Sequence, residues 1–421
     1  MHHSGVVTSS VPAQPFHGYR MSDPEYRRIS VALFAAGVAT FALLYSTQAL
    51  LPELATAFSV SAAESTLSLS VTTVGLGIAL LVAGPISEVV GRTRLIHLSL
   101  AVSALVGVGC ALAPGWQALL ALRLLQGVTL AGLPAVATAY LREELHPGVQ
   151  ARAAGLYIGG TALGGMTGRL ITAGIGEAAG WRWALAAISA VGLLCALAVR
   201  ILLPASRNFR AAPAQLSHLL ALMRGALSDR ALLALYAVGA CSMGAFVATY
   251  NAMGFRLVSE PFHLGLGAAG LVFLVYPVGT VASTVAGRLA DRYSRRAVVP
   301  VGCAVFAVGL LLTIPDSVPV VVLGLAVLTG GFFAVHGVAS GWVPARAFAG
   351  NAAPGPAASL YLFAYYLGSL VYLPCVGASR WSVDAPEVPP GHRPARLTRS
   401  MSRMRSARSG GRPGRADRRQ G

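Results

Sequence analysis

The chain has 421 residues, 55% of them hydrophobic and 11% charged, with a formal net charge of +17 at pH 7. So small a charged share, against roughly a quarter in soluble domains, excludes a string of ordinary water-soluble domains. It points to a polytopic membrane protein whose apolar runs each cross about 30 Å of hydrocarbon. The positive charge does not imply nucleic-acid binding, because the basic residues fall in short loops and one terminal tail rather than on a shared folded face.

In chain order, residues 1–28 are polar and lack the apolar core of a cleavable signal, so they read as a cytoplasmic N-terminal extension in which Met21 is a candidate start. Apolar spans follow at 29–51, 67–87, 95–113, 116–140, 153–175 and 181–203. The stretch 204–230, with Arg207, Arg210, Arg224 and Arg230, is a cytoplasmic linker, and further spans come at 231–253, 264–286, 297–314, 319–341 and 353–374. Each is near the ~20 residues a membrane helix needs. Residues 375–421 are basic, proline-rich and poor in aliphatics. Cys110, Cys195, Cys241, Cys303 and Cys375 are far apart and form no metal or redox spacing. No cluster of metal ligands and no nucleophile–base pair is apparent, so the chain reads as neither a metal protein nor an enzyme, and no cofactor is expected.

All 32 basic residues are arginine, which alongside abundant Ala, Gly and Pro reflects GC-rich coding. Their placement still sets orientation. With a cytoplasmic N-terminus, the inside segments before residue 375 hold 17 arginines and the outside loops only Arg182 and Arg256. That asymmetry obeys the positive-inside rule. Two hairpins between spans are alike: Gly84, Glu88, Gly91, Arg92 and Arg94 in one; Gly287, Asp291, Arg292, Arg295 and Arg296 in the other. An offset of 203 residues carries Gly84 onto Gly287, Gln48 onto Asn251 and Gly127 onto Gly330. Parallel repeats of this kind build many secondary transporters. The fold expected is therefore an all-α polytopic membrane protein of two pseudo-repeated six-helix bundles, at 29–203 and 231–374. The offset places a twelfth span at 384–406, where the sequence is too polar to cross a membrane. The tail is thus either a binding segment for lipid or nucleic acid or the product of a shifted reading frame; the break inside a predicted helix favours the second, leaving a five-helix second bundle.

With these motifs in hand, the chain resembles the major facilitator superfamily over residues 29–374. Both hairpins match that family's loop signature, with Val89 in place of a basic residue in the first and Ser294 in place of a glycine in the second. Arg123-Leu124-Leu125-Gln126-Gly127 in the fourth span is similar to the arginine–glutamine–glycine motif of proton-coupled exporters. Gly160, Gly164, Gly165 and Gly168 in the fifth are close to the antiporter signature, with Gly165 for its proline and Arg169 for its final glycine. The resemblance is nearest to bacterial inner-membrane exporters of the drug and arabinose-efflux type. It implies proton-coupled efflux of a small organic molecule by a monomer in the inner membrane, with an importer or an inactive truncated product as the alternatives.

Several residues are candidates for the chemistry. The hairpin carboxylates Glu88 and Asp291, facing the arginines around them, form a cytoplasmic gate or serve only as topology anchors. Arg123 and Arg169 lie inside spans, where an arginine costs about 2.5–3.5 kcal/mol on insertion scales and usually faces the bundle interior. Their partners are an anionic substrate, Glu177 or backbone carbonyls, unless Arg169 snorkels outward. Gln126 belongs to the same motif. Gln48 and Asn251, with Tyr45 and Tyr250 beside them, line the cavity or bond helix to helix. His336 is the histidine deepest in a span, and the unperturbed pKa of an imidazole suits proton coupling, though packing alone accounts for many such residues. Gly127 and the ladder Gly160, Gly164, Gly168 bring helices close.

Overall fold

The computed structural model describes residues 18–207, 209 and 216–371. The tail at 375–421 and the position of the twelfth span therefore lie outside the described residues. Apart from an isolated bridge between Tyr19 and Leu145, the described residues are helical or connecting. Among them, nine helical stretches are long and apolar enough to cross a membrane: Pro24–Phe58, Ala62–Val90, Arg92–Ala111, Trp116–Glu144, Trp181–Leu202, Arg230–Val258, Leu266–Arg292, Arg295–Leu312 and Val318–Ala349. Two more long helices complete the order, Pro147–Ala179 in fifth place and Pro354–Val371 in eleventh. In the fifth, glycines and Arg169 lower the hydropathy. We number these eleven spans in chain order. The linker between the halves is not wholly irregular, since it carries the helix Leu216–Ser228.

The helices run beyond the apolar stretches because polar side chains and a glycine turn satisfy their ends. Ser61 and Glu64 form a reciprocal capping box at the start of the second span, with the Glu64 N–H on Ser61 Oγ at 3.2 Å and the Ser61 N–H on Glu64 Oε2 at 2.8 Å. Gly91 ends the second span and starts the third with φ at +101°, a turn that only glycine makes without strain. Asp229 caps the seventh span by accepting from the N–H groups of Ala231 and Leu232.

Alternate spans run in opposite directions, giving one face that carries most of the arginines and an opposite face that carries few. On the basic face the lead-in and the linker knot together: the Tyr19 N–H donates to Glu144 O, the His146 N–H to Tyr19 O, and the Ser206 hydroxyl to Glu144 Oε1 at 2.5 Å. Tyr19 is buried, so the ordered structure begins upstream of Met21.

Within the first half, the glycine ladder brings the fifth span close against the first. A Cβ on Gly160, Gly164 or Gly168 would run into the backbone of Phe34, Val38 or Ala42 of the first span. One on Gly127 would meet Thr72 O of the second span. The sixth span covers the third, with Ser189 against Gly107 and Gly192 beside Ala104. The halves differ here: 44% of the third span's apolar window is buried but only 11% of the ninth's. The ninth is the repeat equivalent of the third, and its counterpart cover would be the twelfth span.

Candidate functional site

Two spans are broken, and the site lies between the breaks. The first span is α-helical over Pro24–Leu44, turns at Tyr45–Thr47, makes a 3-10 turn at Gln48–Leu50 and resumes at Leu51–Phe58. Pro52 has no N–H to continue the ladder, which helps fix the break there. The eighth span does the same, with α-helix at Leu266–Gly270, 3-10 helix at Leu271–Val275 and α-helix again from Tyr276, next to Pro277. Broken helices at a repeat interface expose backbone groups that must be met by side chains or ligands.

Arg123 meets those of the first span. Its Nη1 donates to Leu43 O at 3.1 Å, its Nη2 to Leu44 O at 2.7 Å and its Nε to Ser68 O at 2.9 Å. Further bonds reach Ser46 Oγ, Thr47 Oγ1 and Gln126 Oε1, the last at 2.6 Å. Gln126 is held in turn by donating to Ser103 O at 3.0 Å. The guanidinium is fully buried with six neutral acceptors, so it caps the broken helix and faces no open cavity.

Arg169 is held differently. Nε donates to Gln48 Oε1 at 2.7 Å and Nη1 to Gly165 O at 2.5 Å. Its Cζ lies 4.0 Å from the ring centre of Tyr45, 4.7 Å from that of Tyr276 and 5.0 Å from that of Phe273. Each ring face offers a negative quadrupole to the cation. Tyr45 and Gln48 belong to the break in the first span, Phe273 and Tyr276 to the break in the eighth. Arg169 is 2% exposed, so it does not snorkel. Among the described residues, no ion pair includes Arg169 or Arg123.

From Arg169 the contacts continue across the interface between the halves. Gln48 Nε2 donates to Asn251 Oδ1 at 2.8 Å, joining two residues 203 positions apart. Repeat equivalence thus becomes contact, as it must for residues on a pseudo-two-fold axis. Nearby, Glu177 Oε2 accepts from the Gly267 N–H at 2.6 Å, and a side chain on Gly265 would strike that carboxylate. Thr73 and Ser369 hydroxyls bond at 2.6 Å between the second and eleventh spans. On the side toward the opposite face, then, the halves are stitched together.

The second half lines the interface with rings. Phe246 stacks on Phe332 at 4.0 Å and Tyr250 on Phe273 at 5.3 Å, while the Tyr250 hydroxyl bonds Thr329 Oγ1. His336 lies 4.4 Å from the Tyr365 ring, and its Nδ1 is 3.0 Å from the Tyr361 hydroxyl.

At the basic face the described ion pairs each stay within one half. Arg92 pairs with Glu143 at 3.1 Å and Glu88 at 3.8 Å and bonds Ser87. Asp291 makes no ion pair among the described residues, and Arg292 lies over Tyr293. The pair that ties this end of the second half is Arg346 with Asp229, at 2.9 Å. Burial alone would raise the Asp229 carboxyl, but the Ala231 N–H, the Arg346 guanidinium and the Leu232 N–H hold it below the usual range. Of the anticipated residues, the fold brings Tyr45, Gln48, Arg169, Asn251 and Tyr250 together and leaves the two hairpin clusters apart. Sequence reading missed Phe273, Tyr276, Phe332, Tyr365, Asp229 and Arg346. Pro277 inside an apolar span and Pro52 just past the end of another were the available signal for the two breaks.

A family model described as Major Facilitator Superfamily matches residues 29–373. The inner membrane transport protein YnfM of Escherichia coli is 40% identical over 359 residues, covering 85% of this chain and 85% of that protein. The MFS-type transporter YybF of Bacillus subtilis is 39% identical over 363 residues, covering 86% and 89%. A bacterial homolog of the human lysosomal transporter Spinster, solved inward-facing and unoccupied, superposes with a TM-score of 0.68 at 15% identity, covering 84% of this chain and 82% of that one. The nucleoside transporter NupG gives 0.68 at 14%, covering 84% and 94%. With the family model spanning both halves and relatives near 40% identity over most of both chains, the chain belongs to the Major Facilitator Superfamily and is a multi-pass membrane transporter.

Proposed function

We propose that this transporter exports a small organic molecule across the bacterial inner membrane by alternating access, driven by protons, as a monomer with its N-terminus and basic face in the cytoplasm. The observation that carries the reading is one-sided closure. Gln48–Asn251 and Glu177–Gly267 join the halves toward the opposite face, whereas the ion pairs described on the basic face stay within one half. Such a molecule opens toward the basic face, and parting the stitched side would complete the cycle.

Arginine placement supports the orientation, with 17 against two. The motifs around Arg123 and Gly160–Gly168 support export and proton coupling. His336 is the group we assign to the proton. It lies half-buried in the tenth span among aromatic rings, while the described carboxylates sit at span ends or in loops. Glu88, Gly91, Arg92, Asp291 and Arg295 act in this reading as the cytoplasmic gate that pairs across the halves only when that face closes. Proton-driven accumulation in everted vesicles tests the proposal. Accumulation that collapses with a protonophore is the expected result; accumulation only in right-side-out vesicles would make the protein an importer.

A further inference from the structure

We infer that Arg169 is the recognition point for an anionic aromatic cargo, whose carboxylate meets the guanidinium and the Gln48–Asn251 pair while its ring enters the aromatic cluster of the second half. The inference rests on the transporter reading and deepens it.

Two guanidinium groups are buried near the interface, and neither has a carboxylate partner among the described residues. Arg123 has a structural reason to be there, because four of its six bonds cap the broken first span. Arg169 has none of that kind. The fifth span is continuous over Pro147–Ala179, and the carbonyl that Arg169 bonds, Gly165 O, sits in an unbroken helix. A buried cation that serves no backbone need and faces a binding interface is a functional candidate.

Arg169, Tyr45 and Gln48 belong to the first half; Phe273, Tyr276 and Asn251 belong to the second. Parting the halves on this side takes two ring faces away from the cation and breaks the carboxamide pair. A carboxylate replaces what is lost with charge-assisted bonds, for which a guanidinium fork is the matching shape. A small void is lined by Gln48, which accepts from Arg169, and by Tyr250 and Phe273 of the second half.

Beyond the cation, Phe246 stacks on Phe332 at 4.0 Å and Tyr365 lies 6.3 Å from Phe332, so a cargo that parts the halves meets a buried aromatic lining, which favours a flat one. The same uncompensated positive charge disfavours a cationic one.

The test is binding to the purified full chain in lipid nanodiscs, by calorimetry, of benzoate, 2-naphthoate and indole-3-acetate against benzylamine, 2-naphthylmethylamine and tryptamine. At least one carboxylate should bind tenfold or more tightly than its matched amine. Arg169→Gln should abolish that preference and Arg169→Lys should retain part of it. The wild-type preference is read without any variant, so a misfolded Arg169→Gln leaves the proposal exposed to failure. Amines binding as well as carboxylates, or no carboxylate binding, overturns it. Carboxylate binding without transport in proteoliposomes would sink the transporter reading while leaving the anion site standing; transport of amines alone would do the reverse.

Discussion

The two halves share one plan and have filled it with opposite chemistry. At repeat-equivalent positions, Arg123 corresponds to Ala326, Thr73 to Tyr276 and Leu133 to His336. The first half buries hydroxyls, carboxamides and two guanidinium groups; the second buries a connected cluster of rings. The difference grows out of where each half is broken. The first span is interrupted and needs donors, while its counterpart, the seventh, runs unbroken over Arg230–Val258 and needs none. The second span is unbroken, while its counterpart, the eighth, is interrupted beside Pro277. Helix–helix contact diverges likewise, since the ladder Gly160, Gly164, Gly168 corresponds to Phe363, Leu367 and Val371. Duplicated scaffolds thus keep their helix order while each repeat solves its own backbone problem.

The largest effect should come from removing the cap. Arg123→Ala leaves the Leu43 and Leu44 carbonyls of the first span and Ser68 O of the second without a charged donor, at about 1–3 kcal/mol for each group left unsatisfied. We expect a loss of at least about 3 kcal/mol, or failure to accumulate folded protein, read by thermal unfolding in detergent. The equivalent Ala326 has no break to cap, so Ala326→Gly should cost only about 1 kcal/mol. Equal costs at the two sites would break the comparison.

Next comes the ladder. Gly164→Leu would drive a side chain into the Val38 backbone, and overpacking of this kind costs about 1–3 kcal/mol and occasionally more. The second half already carries Leu367 there, so Leu367→Gly should not improve packing; the unfolding midpoints of both variants decide it.

The seal toward the opposite face should respond more gently. Gln48→Leu removes a bond worth about 1 kcal/mol and raises the population open on that side roughly fivefold. Labelling of a cysteine placed at Ala49, which lines the adjoining void, should accelerate by that factor. An unchanged labelling rate would show that the carboxamide pair does not hold the halves.

The smallest effect concerns the ties at the basic face. Glu143 and Arg346 are repeat equivalents of opposite charge, each paired inside its own half with Arg92 and Asp229. Asp229→Ala should cost about 1 kcal/mol at neutral pH. Because the folded Asp229 carboxyl is held below its ordinary value, its contribution is present above about pH 4 and fades as pH falls through the folded value. The wild type and variant should therefore converge in acid, a difference that unfolding at two pH values measures.

Span positions, the 203-residue repeat and the charge bias were legible in the chain itself. So was the spacing of the glycine ladder. Each depends on local composition or on a period along the chain, and burial in a membrane writes those patterns into consecutive residues. The site was legible only in part. Gln48, Asn251, Arg123 and Arg169 stood out as polar groups in apolar helices, yet their roles did not. Which of two buried cations meets six backbone and side-chain acceptors and which meets three rings is settled mostly by groups distant in the sequence. The hairpin clusters show the converse: opposite charges close in sequence look paired, yet Arg92 meets Glu143 at 3.1 Å as well as Glu88 at 3.8 Å, and Asp291 makes no ion pair among the described residues. Sequence alone determined that the chain is a duplicated bundle of membrane helices, because hydrophobicity and repetition are properties of the chain itself. Tertiary structure decided what the bundle's centre is made of, because a broken helix is completed by whichever side chain packing delivers to it.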